Sequence, residues 1–236
     1  MKILITGGSS GLGLFITKQL LDDHDVFFTY CKNESSAQAL AKQANTKAIA
    51  LDLRDENSVS ALCKWIEEES PDVLINNALT GFEQKHAHKI NSPTHTELFH
   101  ENIASVIAIT NSFIKKARKR KSGKIINILS AYLVGKPPIG LSQYVAQKNY
   151  LLSLNKSWAT ENIAFNVSSN AISPSIMRTN LTKDTDERVF EQMIENAPLK
   201  RLIEPKEVAE VVEFLVGSTL FLNGQNIVLN QGENLI

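Results

Sequence analysis

Two cysteines in 236 residues, Cys31 and Cys63, supply neither a disulfide framework nor a cysteine-rich metal cluster. Such cysteine use suits a reducing compartment, and cytoplasmic residence is the expectation. An excess of either charge is also missing. With 25 basic and 25 acidic side chains the formal net charge is zero, which removes any whole-chain electrostatic case for nucleic acid as a partner. Long apolar runs are absent too. The opening Ile3-Leu-Ile-Thr6 breaks into glycines, too short for a signal-peptide core or a membrane span, so no membrane partner is expected. Repeats, low-complexity tracts and long linkers are lacking. What remains is ordinary globular composition, 43% hydrophobic and 21% charged, in a length that suits one well-buried domain over residues 1–236 better than two.

Short apolar runs alternate with segments of helical spacing. Strands are expected at residues 3–6, 26–30, 48–51, 72–75, 124–129, 164–168 and 225–229, and helices at 14–21, 33–45, 57–69, 98–117, 142–160 and 205–216. In the third helix Val59, Leu62, Cys63 and Ile66 form one apolar stripe. Because the strands lack the polar alternation of a half-wet sheet, the fold class is α/β: a Rossmann-like, doubly wound, mainly seven-stranded parallel sheet with helices on both faces. Ligands of such sheets bind at the carboxyl ends of the strands.

The first strand ends in Thr6-Gly-Gly-Ser-Ser-Gly-Leu-Gly13. Gly7, Gly11 and Gly13 let the backbone turn tightly and approach a ligand, and the helix that follows offers unpaired N–H groups to a pyrophosphate. No lysine followed by Ser or Thr completes the cluster, which argues against a nucleoside triphosphate loop. Asp52, after the third strand, is placed either to accept from an adenine amino group or to close a turn. Asn76 can tie neighbouring strand ends, and Asn77 and Ala78 follow where an adenosine ribose would lie; either asparagine can instead close its own turn. The end of the second strand, Phe27-Phe-Thr-Tyr-Cys-Lys-Asn33, carries no acid to bind the two ribose hydroxyls of NAD. NADP(H) is therefore favoured over NAD(H), with Lys32 the nearest cation for a 2′-phosphate.

Tyr144 and Lys148 stand four residues apart in a helical segment, on one face. That spacing serves a surface pair as readily as a proton-handling pair. A free phenol, with a pKa of about 10, is a poor proton carrier near neutrality. An ammonium one turn away, with the positive nicotinamide of an oxidised cofactor, would stabilise the phenolate. Tyr144 could then protonate a carbonyl oxygen as hydride reaches carbon, while Lys148 holds the nicotinamide ribose and Ser130, at the end of the fifth strand, hydrogen-bonds the same oxygen.

The motifs TGGSSGLG (residues 6–13), LDLRD (51–55), NNA (76–78), Asn102, IINILS (125–130), YVAQK (144–148) and NAISPSIMRT (170–179) together resemble the short-chain dehydrogenase/reductase family over residues 2–233, and most closely its 3-oxoacyl carrier-protein reductase branch. The resemblance implies a four-part catalytic site. Tyr144 is its acid/base, Lys148 lowers the phenol pKa and binds ribose, Ser130 donates to the substrate oxygen, and Asn102 holds a water in a proton relay. For the cofactor it implies Gly7, Ser9, Ser10, Gly11 and Leu12 at the pyrophosphate, and Asp52 with Leu53 at adenine. Asn77 and Ala78 then border the ribose, and Ile172 holds the nicotinamide carboxamide through its backbone, assisted by Thr179. A small-molecule or acyl-thioester carbonyl substrate and a homodimer or homotetramer are implied as well, with the helices at 98–117 and 142–160 between subunits. Four features depart from the family's usual pattern: Leu79 and Ser175 where glycines are usual, a Ser130–Tyr144 interval one residue longer, and Cys31 where NADP-dependent relatives often carry arginine.

His86, His88 and His95 share one polar loop, readable as solvated surface, as a substrate-pocket edge or as weak metal ligands; no metal is expected. The basic run at 115–124 sits at a helix end, where the dipole favours cations. Residues 180–204 would cover a substrate, with Phe190, Met193 and Ile194 excluding water or simply packing. Two functions follow: a ketone/secondary-alcohol oxidoreductase, or a dinucleotide-binding scaffold or regulatory protein with little catalysis.

Overall fold

In the structure, a computed structural model that describes residues 1–42 and 46–234, the apolar runs become strands β1 (Lys2–Ile5), β2 (Asp25–Tyr30), β3 (Thr46–Ala50), β4 (Val73–Asn76), β5 (Gly123–Ile128), β6 (Val167–Pro174) and β7 (Asn226–Leu229). They form one parallel sheet in the order β3-β2-β1-β4-β5-β6-β7. Every residue of β4 and β6 is buried, which is why polar alternation is missing from their sequences. The order reverses between β1 and β4, and that reversal opens a crevice at their carboxyl ends.

Helices cover both faces, as the doubly wound class requires. Helices α1 (Gly11–Leu20), α2 (Glu34–Ala41) and α8 (Pro205–Gly217) bury Ile16, Leu20, Leu40, Val208 and Val212 against Ile3, Ile5, Val26, Phe28 and Ile75. On the other face α3 (Glu56–Glu69), α5 (Ser105–Arg120) and α6 (Ser142–Asn162) bury Leu62, Ile66, Phe113 and Trp158 against Leu4, Leu74 and Ile125. Among the described residues, no helix is long and apolar enough to cross a membrane, and no cluster of His, Cys, Asp or Glu could hold a metal ion.

A buried polar chain fixes α6 to the sheet. Asn76 Nδ2 donates to Thr110 Oγ1 (3.0 Å) and Asn127 Oδ1 (2.9 Å), Asn127 Nδ2 donates to Asn155 Oδ1 (3.0 Å), and Ser169 Oγ donates to the same oxygen (2.8 Å). Asn76 thus ties β4 to β5 as its sequence position suggests. In a dry interior such satisfied bonds specify one arrangement of the elements.

Three segments differ from expectation. The apolar run at 163–165 is a 3₁₀ turn ended by left-handed Asn166 (φ +57°), and β6 follows it instead of coinciding with it. Its small polar residues read as loop, yet they are buried, and three of them find partners: Ser169 Oγ in Asn155 Oδ1, Asn170 Nδ2 in Leu222 O and Ser173 Oγ in Asn226 Oδ1. The helix expected from residue 98 starts earlier as α4 (Ser92–Phe99), capped by the Asn91 side chain, and passes through a π turn, His100–Ala104, into α5. Helix α7 (Glu187–Asn196), capped by Asp186, occupies the segment expected to lie over a substrate; Phe190 is its buried anchor. Residues 43–45 at the expected end of the second helix lie outside the described residues.

The basic run is structural in part. Arg120 Nη1 donates to Ser70 O and Oγ, and Arg120 Nη2 to Pro71 O, joining α5 to the loop after α3. Lys124 points its Nζ at the carbonyls of Leu215, Val216 and Ser218, closing the end of α8.

Candidate active site

The glycine turn sits at the crevice between β1 and β4. Gly7 has φ +69°, and its N–H donates to Thr29 Oγ1 (2.8 Å); Gly8 N–H donates to Thr29 O (3.0 Å). A Cβ on Gly13 would lie 2.0 Å from the Gly7 carbonyl oxygen, and one on Gly7 3.0 Å from Ala78 Cα, so the turn closes only with glycine at both positions. Asn77 braces it: its Nδ2 donates to Thr6 O (3.0 Å) and Gly7 O (3.1 Å), while the N–H groups of Asn77 and Ala78 share Thr6 Oγ1. Ser10, the residue before α1, makes no side-chain cap bond, which leaves its hydroxyl and the first N–H groups of the helix facing outward beside half-buried Ser9. Leu12 packs into the core, so only its backbone is available to a ligand. These residues fit a dinucleotide pyrophosphate: the cradle has no Cβ to obstruct it and its donors lie at a helix N-terminus.

Farther along the same edge, Asp52 is engaged by a residue that sequence reasoning overlooked. Asp52 Oδ1 accepts from Arg54 N (3.0 Å) and Nε (2.8 Å), and Oδ2 accepts from Nη2 (2.8 Å). The guanidinium holds the Asp52 carboxyl down at about 2. Arg54 Nη2 also lies 3.8 Å from Cys31 Sγ, at the end of β2. The signal was in the sequence, an Asp-x-Arg step inside LDLRD, but nothing local said that the arginine would turn back. Lys32 is exposed near by, and Leu53 is buried with its carbonyl accepting from Ser105 Oγ (2.9 Å).

Ser130, Tyr144 and Lys148 converge at the carboxyl end of β5. Lys148 is buried, its Nζ donating to Ile128 O (2.8 Å) and lying 5.9 Å from the Tyr144 ring centroid. Burial pulls the Lys148 ammonium down to about 8. Burial pushes Tyr144 up, and only the Ser130 hydroxyl beside it works the other way. The Phe82 ring contributes to that burial, packing on Tyr144 with centroids 5.0 Å apart. Tyr132, also missed, is raised to about 12, by burial first and by Tyr144 second, so it stays protonated beside the same phenol.

Asn102 lies in the π turn, a kind of irregularity frequent at functional sites. Its Oδ1 accepts from Thr80 N and Oγ1 (both 3.0 Å), and its Nδ2 donates to Gly81 O (3.3 Å) and Gln147 Oε1 (3.5 Å). The carboxamide is thereby committed to shaping the loop after β4.

At the end of β6 the structure places Ile172 differently from its expected role. The residue is fully buried, paired with Ile128 and Ile227, and its carbonyl accepts from Leu129 N (2.7 Å). A backbone so deep in the ladder cannot hold a nicotinamide amide. Ser175 N–H still bonds Leu229 O (3.0 Å), so chain released from the sheet begins at Ile176–Met177. Thr179 does reach the site: a Cβ added at Gly11 would lie 3.7 Å from Thr179 Cβ.

Three of the four departures from the usual pattern meet no backbone strain. Neither Leu79 nor Ser175 has a positive φ, so neither position demands glycine here. Gly135 (φ +78°) and Gly140 (φ +86°) take up the longer interval in a loop that Lys85 N–H pins through Gly140 O (2.8 Å). His86, together with Pro137–Gly140 and Val145, lines a cleft of about 470 Å³ beside this loop; His88 and His95 do not.

A parallel doubly wound sheet, a glycine cradle at its reversal and a Tyr-Lys-Ser cluster on the same edge define a dinucleotide-dependent oxidoreductase. The profile of the enoyl-(acyl carrier protein) reductase family matches residues 7–234, and the chain belongs to that family within the short-chain dehydrogenases/reductases. It is 26% identical to a 3-oxoacyl-[acyl-carrier-protein] reductase of Vibrio harveyi, covering 99% of this chain and 97% of the relative. It is 28% identical to the protein of the same name from Staphylococcus aureus, with coverages of 97% and 96%. A solved short-chain dehydrogenase/reductase family protein superposes with a TM-score of 0.87 at 27% identity, over 98% of this chain and 96% of its own. The protein is an NAD(P)-dependent oxidoreductase acting at a carbonyl or alcohol.

Proposed function

We propose that residues 1–236 form one domain that uses NADP(H) to interconvert a ketone and a secondary alcohol, with a 3-oxoacyl thioester as the preferred substrate class. The convergence of Tyr144, Lys148 and Ser130 beside the glycine cradle carries this reading. The names of the relatives support the thioester. The dinucleotide supplies or accepts the hydride. The Ser130 hydroxyl positions the substrate oxygen, the Tyr144 phenol gives it a proton, and the buried Lys148 ammonium stabilises the phenolate left behind. Because the Asn102 carboxamide is committed, any water it holds for the relay rests on its main chain. Thr179 lies over Gly11, and Ile176–Met177 replace Ile172 as the backbone offered to the nicotinamide.

NADPH oxidation with a panel of 3-oxoacyl thioesters, 2-enoyl thioesters, simple ketones and keto-sugars tests the reading against a Tyr144→Phe control. Turnover only of the enoyl thioesters would reassign the substrate; no turnover above the control would favour the dinucleotide-binding scaffold. A cytoplasmic homodimer or homotetramer completes the proposal, supported by exposed Tyr150 on α6 and by Phe221, 98% exposed in the loop before β7. Light scattering that found only a 26.2 kDa species at micromolar concentration would contradict it.

A further inference from the structure

We propose that Arg54, held in place by Asp52, is the residue that recognises a phosphate on the 2′ position of the adenosine ribose, and that Asp52 is a positioning residue for it. This rests on the dinucleotide reading above and assigns the specificity of that site to a residue outside the set named from sequence.

The geometry places the guanidinium at the right edge. Strands β2 and β3 pair to their ends, with Tyr30 opposite Ala50 and Leu51 N–H donating to Tyr30 O (2.8 Å), so the turn carrying Asp52 and Arg54 lies beside Cys31. Thr29, two residues before Cys31, holds the first two glycines of the cradle. The Arg54 side chain leaves the β3 turn and reaches to 3.8 Å from Cys31 Sγ, the strand end where an acid would select NAD. That position carries a thiol, and the cation comes from the neighbouring strand.

The donors left over suit a phosphate. Asp52 takes Arg54 Nε and one Nη2 bond. Among the described residues Nη1 donates to nothing, and the side chain is 46% exposed. A guanidinium offers five N–H donors in a planar fork, and fixing that plane in advance lowers the ordering cost when an oxyanion docks. The same grip fixes the Asp52 carboxylate, with two bonds on Oδ1 and one on Oδ2. Lys32 is exposed, and a flexible ammonium there competes as a less ordered source of the same charge.

The test is a fluorescence titration of NADPH and NADH on wild type, Arg54→Gln, Lys32→Ala, Asp52→Ala and the double variant Arg54→Gln/Asp52→Ala. Competition by 2′,5′-ADP against 5′-ADP isolates the phosphate from the rest of the nucleotide. We expect wild type to favour NADPH. Arg54→Gln should weaken NADPH and 2′,5′-ADP about tenfold or more while leaving NADH within about twofold, which also shows that the variant is folded. Asp52→Ala should lose part of the NADPH preference alone and none further in the Arg54→Gln background, because its effect runs through the arginine. An unchanged NADPH/NADH ratio in Arg54→Gln, with the ratio lost in Lys32→Ala, would overturn the assignment and leave the NADP(H) reading standing. A wild type that favours NADH overturns both.

Discussion

Lys148 Nζ donates to the Ile128 carbonyl at 2.8 Å while lying 5.9 Å from the centre of the Tyr144 ring, so one buried cation serves both the end of β5 and the phenol. Burial lowers its pKa from 10.5 to about 8. A lysine lowered on folding binds fewer protons in the native state between those values, so stability rises with pH across that window and the cost of the buried charge is fully present below about pH 8. Lys148→Met should therefore raise stability at pH 7 by about 1–3 kcal/mol, a gain that fades toward pH 10.5. Thermal melts at pH 7 and pH 10 check this; an equal gain at both would mean that packing, not charge, accounts for it.

The same titration bears on ligand binding. Dinucleotide affinity should decline as pH rises through about 8, where the Lys148 ammonium loses its proton. Lys148→Arg keeps its charge over this range and should flatten the decline even if it binds more weakly throughout. An identical alkaline inflection in that variant would assign it to another group.

Tyr144→Phe should lower turnover by about 10²–10⁴-fold and leave NADPH affinity nearly unchanged, since the phenol handles the proton and the glycine cradle holds the cofactor. Single-turnover kinetics alongside a binding titration separate the two effects. Near-normal turnover would make the Tyr144–Lys148 pair structural.

Gly13→Ala puts a methyl group 2.0 Å from the Gly7 carbonyl oxygen, a contact that only a shift of backbone relieves. Loss of dinucleotide binding together with about 1–3 kcal/mol of stability is expected. Urea unfolding and NADPH titration would show it, and a variant with normal affinity would mean that the turn has more freedom than this packing permits.

Most of the sheet was legible in the sequence because strands such as β1, β4 and β5 are largely buried and read as apolar runs. Strand β6 was misplaced for the complementary reason: Ser169, Asn170 and Ser173 look like loop residues until their partners in α6, in the loop before β7 and in β7 are known. At the site, the gathering of Tyr144, Lys148 and Ser130 at one edge of the sheet was readable because a strand end and one helix face put them there. Arg54 and Phe82 were not. Each acts through a residue distant in sequence, Arg54 beside Cys31 and Phe82 on Tyr144. Ile172 failed in the opposite way: its motif is local, but its depth in the ladder is a property of two neighbouring strands.

Phe82 gives the final prediction. Its ring packs on Tyr144 at 5.0 Å and 48°, and burial is the main cause that pushes the phenol pKa upward, with Ser130 opposing it. Phe82→Ala admits water to that face, weakens the dominant cause and leaves the Ser130 contact in place, so the Tyr144 pKa should move back toward 10. The difference in ultraviolet phenolate absorbance between each protein and its Tyr144→Phe counterpart isolates this one tyrosine from the other three. The alkaline arm of turnover should shift in the same direction if the phenol is the proton donor. A pKa that stays put in Phe82→Ala would mean that the rest of the pocket buries Tyr144 without the ring; one that falls while the pH profile of turnover does not move would remove the phenol from the rate-limiting proton transfer.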